Sequence, residues 1–352
     1  MSASSSWQVT LGLGVLLAAT TFLPARSPGD APSAINGGIS PRSNVRVGLV
    51  FDVGGRGDKS YNDSAYAGID RAIRELGVSV SFLEPSGAED REAALRMFAA
   101  EGLDLVIGVG FIFSNDVNLV AEAYPNVKFG CVDYGVHGKP IPNNVRGLVF
   151  REEEGSYLVG AVAGLTTKTK HLGFVGGMTI PLIRKFEAGY RAGVRSVCAT
   201  CVVHAGYAGS SPDAFKDPEK GKTITLSQVG LKADVVFHAA GSTGHGVFEA
   251  ARESSIWSIG VDSDQYDEMP NVMLTSMVKR VDTAVFETIR DVLEHRFTSG
   301  MRAYGLADRG IDYVHEGAHA RHLSQEIITR VEELREQVIA GKIQVPTDPA
   351  SL

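Results

Sequence analysis

Four short apolar runs in this sequence end on residues suited to holding a polar ligand. Asp52 follows GLVF, Gly110-Phe111 follow VIGV, Asp133 follows FGCV and Asp262 follows SIGV. Carboxylates accept paired hydroxyl hydrogen bonds, which suits a sugar. Taken singly, an aspartate at a strand end is more often a turn former or a helix cap. Two from one half of the chain and one from the other, all at predicted carboxyl ends, point instead to a shared cleft.

The richest stretch is Val45 to Gly77, VRVGLVFDVGGRGDKSYNDSAYAGIDRAIRELG. Its apolar start reads as a buried strand that stops at Asp52. A glycine loop follows, and after Tyr61-Asn62-Asp63 a helix begins, with Ala65, Ile69, Ala72, Ile73 and Leu76 on one stripe. Strand, glycines, Lys59-Ser60 and helix come in the order of a phosphate loop. That loop needs glycine before its lysine so that backbone amides can close on phosphate. Here the residue is Asp58, which blocks the approach and repels phosphate. An uncharged ligand fits better, with donors for Asp52 and a planar face for Tyr61, where stacking is worth about 1–3 kcal/mol per base.

Other aromatic candidates are Phe111, Phe113, Phe186 and Tyr190. Phe186 and Tyr190 lie one helical turn apart, a spacing that more often means core packing. Gly241-Ser-Thr-Gly244-His-Gly246 lies between a strand and a helix, where free amides could bind ligand oxygen and where a tight turn would equally explain the glycines. Lys279 ends an extended segment; a solvated lysine and a ligand donor are evenly matched readings.

The elements that must position these residues alternate. Strands are predicted near 78–83, 104–109, 127–132, 143–150, 171–175, 201–205, 234–239, 256–261, 272–278 and 311–314, with helices between most of them. Small residues crowd the helix at 152–167, and further helices are predicted over 281–297 and 324–340. Such alternation argues for parallel sheets covered by helices. In open parallel sheets, ligands bind beyond the carboxyl ends of the strands.

The 352 residues can bury two cores. A net charge of −7 with no basic stripe argues against nucleic acid as a partner. No HExxH, G-x-S-x-G or paired zinc-type cysteines occur, so neither catalytic residues nor metal ligands nor a cofactor are expected. Cys198-Ala-Thr-Cys201 precedes a predicted strand rather than opening a helix, which favours a small structural disulfide over redox chemistry, with two free thiols as the alternative. The apolar run Leu11 to Ala19 and the small residues after it read as an export signal, residues 1–25, or else a retained membrane anchor. A flexible Ser/Pro/Gly linker over 26–44 follows. No cysteine precedes Cys131, so lipidation at a signal-region cysteine is not expected.

The Val45–Gly77 stretch resembles the first motif of the basic membrane protein family, extracytoplasmic solute-binding proteins of ABC transporters that include purine nucleoside receptors. Similar motifs follow in order: FREEEGSYLVGAVAG at Phe150, GFVGGMTIPLIRKFEAGYRAG at Gly173, GSTGHGVFEAA at Gly241, IGVDSDQ at Ile259 and LTSMVKRVDTAV at Leu274. The resemblance implies an α/β, two-lobed type I periplasmic-binding-protein fold with three hinge crossings. On that pattern residues 45–150 form an N-terminal lobe completed by about 279–305, and 151–278 a C-terminal lobe completed by about 306–345. It also implies Asp52, Tyr61, Asn62, Phe186, Asp262 and Lys279 around the ligand, with the two rings stacking a base and Asp262 and Lys279 on the ribose side. Phe111, Asp133, Gly241 and Gly244 join them as expected ligand contacts. Tyr61 stands where the family usually has phenylalanine.

The expected function is therefore a monomeric, non-enzymatic receptor that captures a nucleoside, of purine type, by hinge closure and delivers it to an ABC permease outside the cytoplasm. A ligand sensor of the same fold and a binder of another flat solute such as riboflavin are the alternatives, with a nucleoside hydrolase behind them.

Overall fold

The computed structural model describes residues 33–34, 43–85, 90–135, 138 and 140–352; the expected signal or anchor segment and most of the expected linker lie outside them. The first sheet takes strands β1 (Ser33–Ala34), β2 (Arg46–Val50), β3 (Ser79–Leu83), β4 (Leu105–Val109), β5 (Lys128–Val132) and β6 (Val145–Phe150). Helices α1 (Tyr61–Leu76), α2 (Asp90–Ala100) and α3 (Ser114–Ala123) connect them. The second unit opens with α4 (Glu152–Thr166), β7 (His171–Met178), α5 (Pro181–Val197), β8 (Val202–Gly209) and α6 (Pro218–Gly230). It continues through β9 (Val235–Ala239), α7 (Gly244–Ser254), β10 (Trp257–Asp262) and β11 (Met273–Lys279). The chain then runs through α8 (Val281–Leu293), β12 (Gly300–Tyr304), β13 (Ile311–Tyr313) and α9 (Gln325–Ile339).

The first sheet has the order β1-β3-β2-β4-β5-β6-β12 and the second β13-β11-β10-β9-β7-β8. All pairings are parallel except those of β1 with β3 and β11 with β13. Strands covered on both faces have no solvent side to mark with polar residues. Hence β4, buried at every position, reads as an unbroken apolar run, and β9, buried likewise, is interrupted only by His238. The chain crosses between the sheets after β6, after β11 and after β12, which gives the two-lobed, three-crossing architecture.

In the first sheet the strand order reverses between β2 and β4; in the second, between β7 and β9. Such switch points open a crevice at the carboxyl ends. The loops after β2, β4, β7 and β9 therefore build the ligand face.

Besides β1, which falls within the expected linker, two elements depart from the sequence reading. The helix expected to reach 297 ends at Leu293, where the chain turns through His295 at φ 56°. A strand not foreseen, β12, pairs in parallel with β6. It is an edge strand with four of its five residues at least partly exposed and Arg302 along it, so it lacks the apolar signature. The small residues of α4 also find their cause. Gly160 faces the Tyr190 backbone, while Gly189 and Gly193 of α5 face the carbonyls of Glu153 and Tyr157, so a Cβ at any of these would strike main chain. That close packing fixes α5, whose first turns face the cleft.

Candidate functional site

A cleft with about 610 Å³ of free space, counted out to its mouth, lies where the two sets of loops meet. Asp52, Tyr61, Asn62, Phe111, Asp133, Phe186, Gly241, Asp262 and Lys279 line it, and Gly244 does not. Gly244 opens α7 against the His238 ring, where a side chain would not fit, so its glycine serves packing. Tyr190 and Phe113 are core residues; Tyr190 packs on Phe174 and Phe237.

The deepest feature is ionic. Lys279 Nζ lies 2.7 Å from Asp133 and 3.1 Å from Glu152 Oε1, all three side chains almost fully buried. Lys185 Nζ reaches the other oxygen of Glu152 at 3.1 Å and also donates to the Phe150 carbonyl. Burial by itself would lower the Lys279 ammonium, but Asp133 and Glu152 outweigh it and hold the group above its ordinary value. The ammonium also lies 5.2 Å from the Tyr61 ring centre and 5.8 Å from that of Phe186. Lys279 is thus neither a solvated lysine nor an unpaired charge.

Two carboxylates face the cavity less fully satisfied. Asp52 accepts from the Val53 amide at 2.6 Å, and burial raises its carboxyl from the usual 3.8 to about 7. Asp262 ends β10 with φ 65° and accepts from Ser60 Oγ of the other lobe at 2.6 Å. Burial raises it to about 6 against the opposing pull of Lys279 and Ser60. Asp133 holds the matching place at the end of β5, with φ 58°. An aspartate is among the few non-glycine residues that tolerate this left-handed backbone.

The loop before α1 explains the Asp58 that excluded a phosphate loop. Its carboxylate accepts from the amides of Ser60, Asn62 and Asp63 at 2.9, 2.8 and 3.1 Å, capping the helix with an internal anion. Asn62 bridges outward: Nδ2 donates to Asp58 at 3.0 Å while Oδ1 accepts from the Asp52 amide at 3.0 Å. One Asn62 N–H is left over, so most of its capacity shapes the loop. The Tyr61 hydroxyl is buried; burial first, then Asp133 and Asp52, push it well above its usual range.

Asp58, Ser60, Glu152 and Phe215 were missed as site-building residues. Glu152 sits in a run of three glutamates that reads as solvated, and Phe215 is a lone aromatic in a polar stretch. Ser60 joins a set of contacts between lobes, in which Gln265 Nε2 donates to the Lys59 carbonyl at 3.1 Å and Ser263 Oγ to that of Ser60 at 3.2 Å. Away from the cleft, Cys198 and Cys201 are disulfide-bonded between α5 and β8.

Comparison with known proteins agrees with this architecture. The family model for ABC transporter substrate-binding proteins of PnrA-like type, Bmp, matches residues 45–349. The CD4+ T-cell-stimulating antigen of Listeria innocua is 34% identical, over 96% of this chain and 98% of its own. A Lactococcus lactis protein named ABC transporter nucleoside-binding protein BmpA is 31% identical, over 87% of this chain and 90% of its own. Among solved structures, an ABC transporter solute-binding protein of Aeropyrum pernix K1 superposes with a TM-score of 0.77 at 31% identity, covering 86% of this chain and 94% of that one. With fold, cleft and family model in agreement, the chain belongs to the PnrA-like, or basic membrane protein, family of ABC transporter substrate-binding proteins.

Proposed function

We propose that this protein captures a purine nucleoside outside the cytoplasm and hands it, as a monomer and without chemical change, to an ABC permease. The observation that carries the reading is the charge balance of the cleft. Lys279 is the one cation among the described lining residues, and Asp133 and Glu152 already neutralise it. Asp52 and Asp262 remain to accept hydrogen bonds from an uncharged, donor-rich ligand. Tyr61 and Phe186 supply flat apolar faces, worth about 1–3 kcal/mol per stacked base. A phosphate would face Asp52 and Asp262 with no unpaired cation among the described lining residues to balance it. The nucleoside-binding name of the Lactococcus relative supports the same class.

The test is mass spectrometry of any small molecule that co-purifies, followed by a thermal-shift panel of guanosine, inosine, adenosine, their monophosphates, free bases and riboflavin. A ligand that binds only the folded state raises its stability by about 2.7 kcal/mol at a hundredfold excess over Kd. The expected result is a shift with purine nucleosides and none with the monophosphates. A shift with riboflavin alone would keep the fold and replace the ligand, and release of free base during incubation would indicate hydrolysis.

Asp262→Ala is expected to weaken nucleoside binding at least tenfold, the equivalent of about 1.4 kcal/mol. The ligand-free protein should still melt cooperatively, because the change also removes a buried carboxylate. Isothermal titration at pH 7 measures this; an unchanged Kd would remove Asp262 from the site.

A further inference from the structure

Among the described residues, one aromatic pair joins the two lobes. Phe111, in the 3-10 turn after β4, meets Phe215, in the 3-10 turn Pro212–Phe215 between β8 and α6. Their ring centroids are 6.4 Å apart with planes at 63°, an edge-to-face contact. Both line the cleft and both are only half-buried, which places them at its mouth rather than its floor.

Each ring stands on a firm mount. Ser114 Oγ donates to the Phe111 carbonyl at 2.6 Å, and Gly110 before it adopts φ 116°, a backbone that L side chains rarely take. On the opposite side, Ser242 Oγ donates to the Phe215 carbonyl at 3.0 Å and Thr243 Oγ1 to that of Ala214 at 2.8 Å. The Phe215 ring lies against Gly177 of β7, where any side chain would collide with it. The turn after β9 therefore holds the Phe215 loop in place, a use of Gly241 to Thr243 distinct from ligand binding.

We propose that Phe111 and Phe215 form a two-leaf aromatic gate over the ligand, a contact made only when the lobes close, so that Phe215 is a ligand-retaining residue of this site. The two rings sit on different lobes joined by three crossings, so any rotation that opens the cleft separates them. Contacts present only in the closed state are what a ligand-bound form gains over an open one. Because the gate adds attraction after entry, it acts on release more than on capture. The proposal rests on the solute-capture reading and requires only that a solute be enclosed.

The test is a double-mutant cycle on release rates. Stopped-flow displacement of guanosine would be measured for wild type, Phe111→Ala, Phe215→Ala and the double variant; riboflavin would replace guanosine if that is the solute wild type holds. Each single change is expected to speed release about 3- to 10-fold, in keeping with the strength of an edge-to-face pair, with association within twofold. The double variant is expected to release no more than about twice as fast as the worse single one, because the second change finds the contact already gone. Phe215→Leu, which keeps the apolar volume, guards against a folding defect and is expected to fall between. Single variants that release like wild type, or a double variant whose acceleration is the product of the two, would overturn the gate. Failure of guanosine with success of riboflavin would overturn the nucleoside reading and leave the gate to be judged by the same cycle.

Discussion

Lys279→Met is expected to lower the melting temperature of the ligand-free protein by about 10 °C at pH 7, through a loss of about 3–5 kcal/mol. Methionine keeps most of the stem but leaves the buried carboxylates of Asp133 and Glu152 without the ammonium between them. Only Lys185, on the far oxygen of Glu152, remains to offset them. The desolvation of the two carboxylates stays while the attraction that offset it goes, so breaking such a cluster costs more than forming it contributes. The triple change Lys279→Met, Asp133→Asn, Glu152→Gln is therefore expected to recover a large part of the loss. Scanning calorimetry of the two variants decides it. A single variant that melts within 2 °C of wild type would mean that water reaches the cluster and the charges are screened.

The same cluster joins the hinge to the site. Lys279 ends β11 at one crossing, Glu152 begins α4 at another, and Asp133 ends a strand of the first lobe. Nucleoside affinity of the single variant should therefore fall along with stability.

Asp52→Asn is expected to act in the other direction on stability. The Asp52 carboxyl sits at about 7 in the folded protein against 3.8 ordinarily, chiefly through burial. The folded state thus holds a proton that the unfolded chain has already released. The resulting stabilisation is fully present below about pH 4 and is lost as pH rises through about 7. At about 1.4 kcal/mol per pH unit of separation, the charged form costs on the order of 4 kcal/mol at pH 8. Asparagine removes that cost and retains an oxygen for the Val53 amide. The ligand-free variant should melt about 5 °C or more above wild type at pH 8 and alongside it at pH 4.5.

Asp262, raised to about 6, acts in the same sense as Asp52 over a narrower window. His238 opposes both. Buried and held near 3, it favours the folded state above its ordinary 6.5 and loses that contribution as pH falls toward 3. The difference between variant and wild type cancels these common contributions, so it is the quantity to measure. A difference independent of pH would show that Asp52 is ionised at little cost. The gain in stability should come with weaker ligand binding, the exchange expected where a binding site holds an unfavourable charge.

Much of the fold was legible in the chain. The strands β2, β4, β5 and β10 are short, largely apolar runs because both of their faces are covered, and each leads into the aspartate or glycine that turns the chain. α1 was legible from its apolar stripe, α4 from its small residues, and α5 from the proline at its first position. Asp52, Asp133 and Asp262 could be placed at one cleft because strand ends of open parallel sheets converge there. β12 was not legible, since an edge strand needs no continuous apolar run. Gly244 was misplaced because its glycine is required by the His238 ring packed directly against it, a contact that nothing in the run of glycines marks.

What the sequence by itself determined is the local layer: alternation of strand and helix, which residues end each strand, and the Asp58 before Lys59 that rules out a phosphate loop. These depend on periodicity and on neighbours within a few positions. Only the tertiary structure decided which charges cancel and which rings meet. Lys279 and Asp133 are 146 positions apart in the chain, and Ser60 and Asp262 are 202 apart. Nothing local marks such partners. Their effect comes from being brought within about 3 Å inside a medium of low dielectric, where a paired ammonium is tolerated, an unpaired carboxylate takes up a proton, and a lone phenylalanine finds its counterpart on the other lobe.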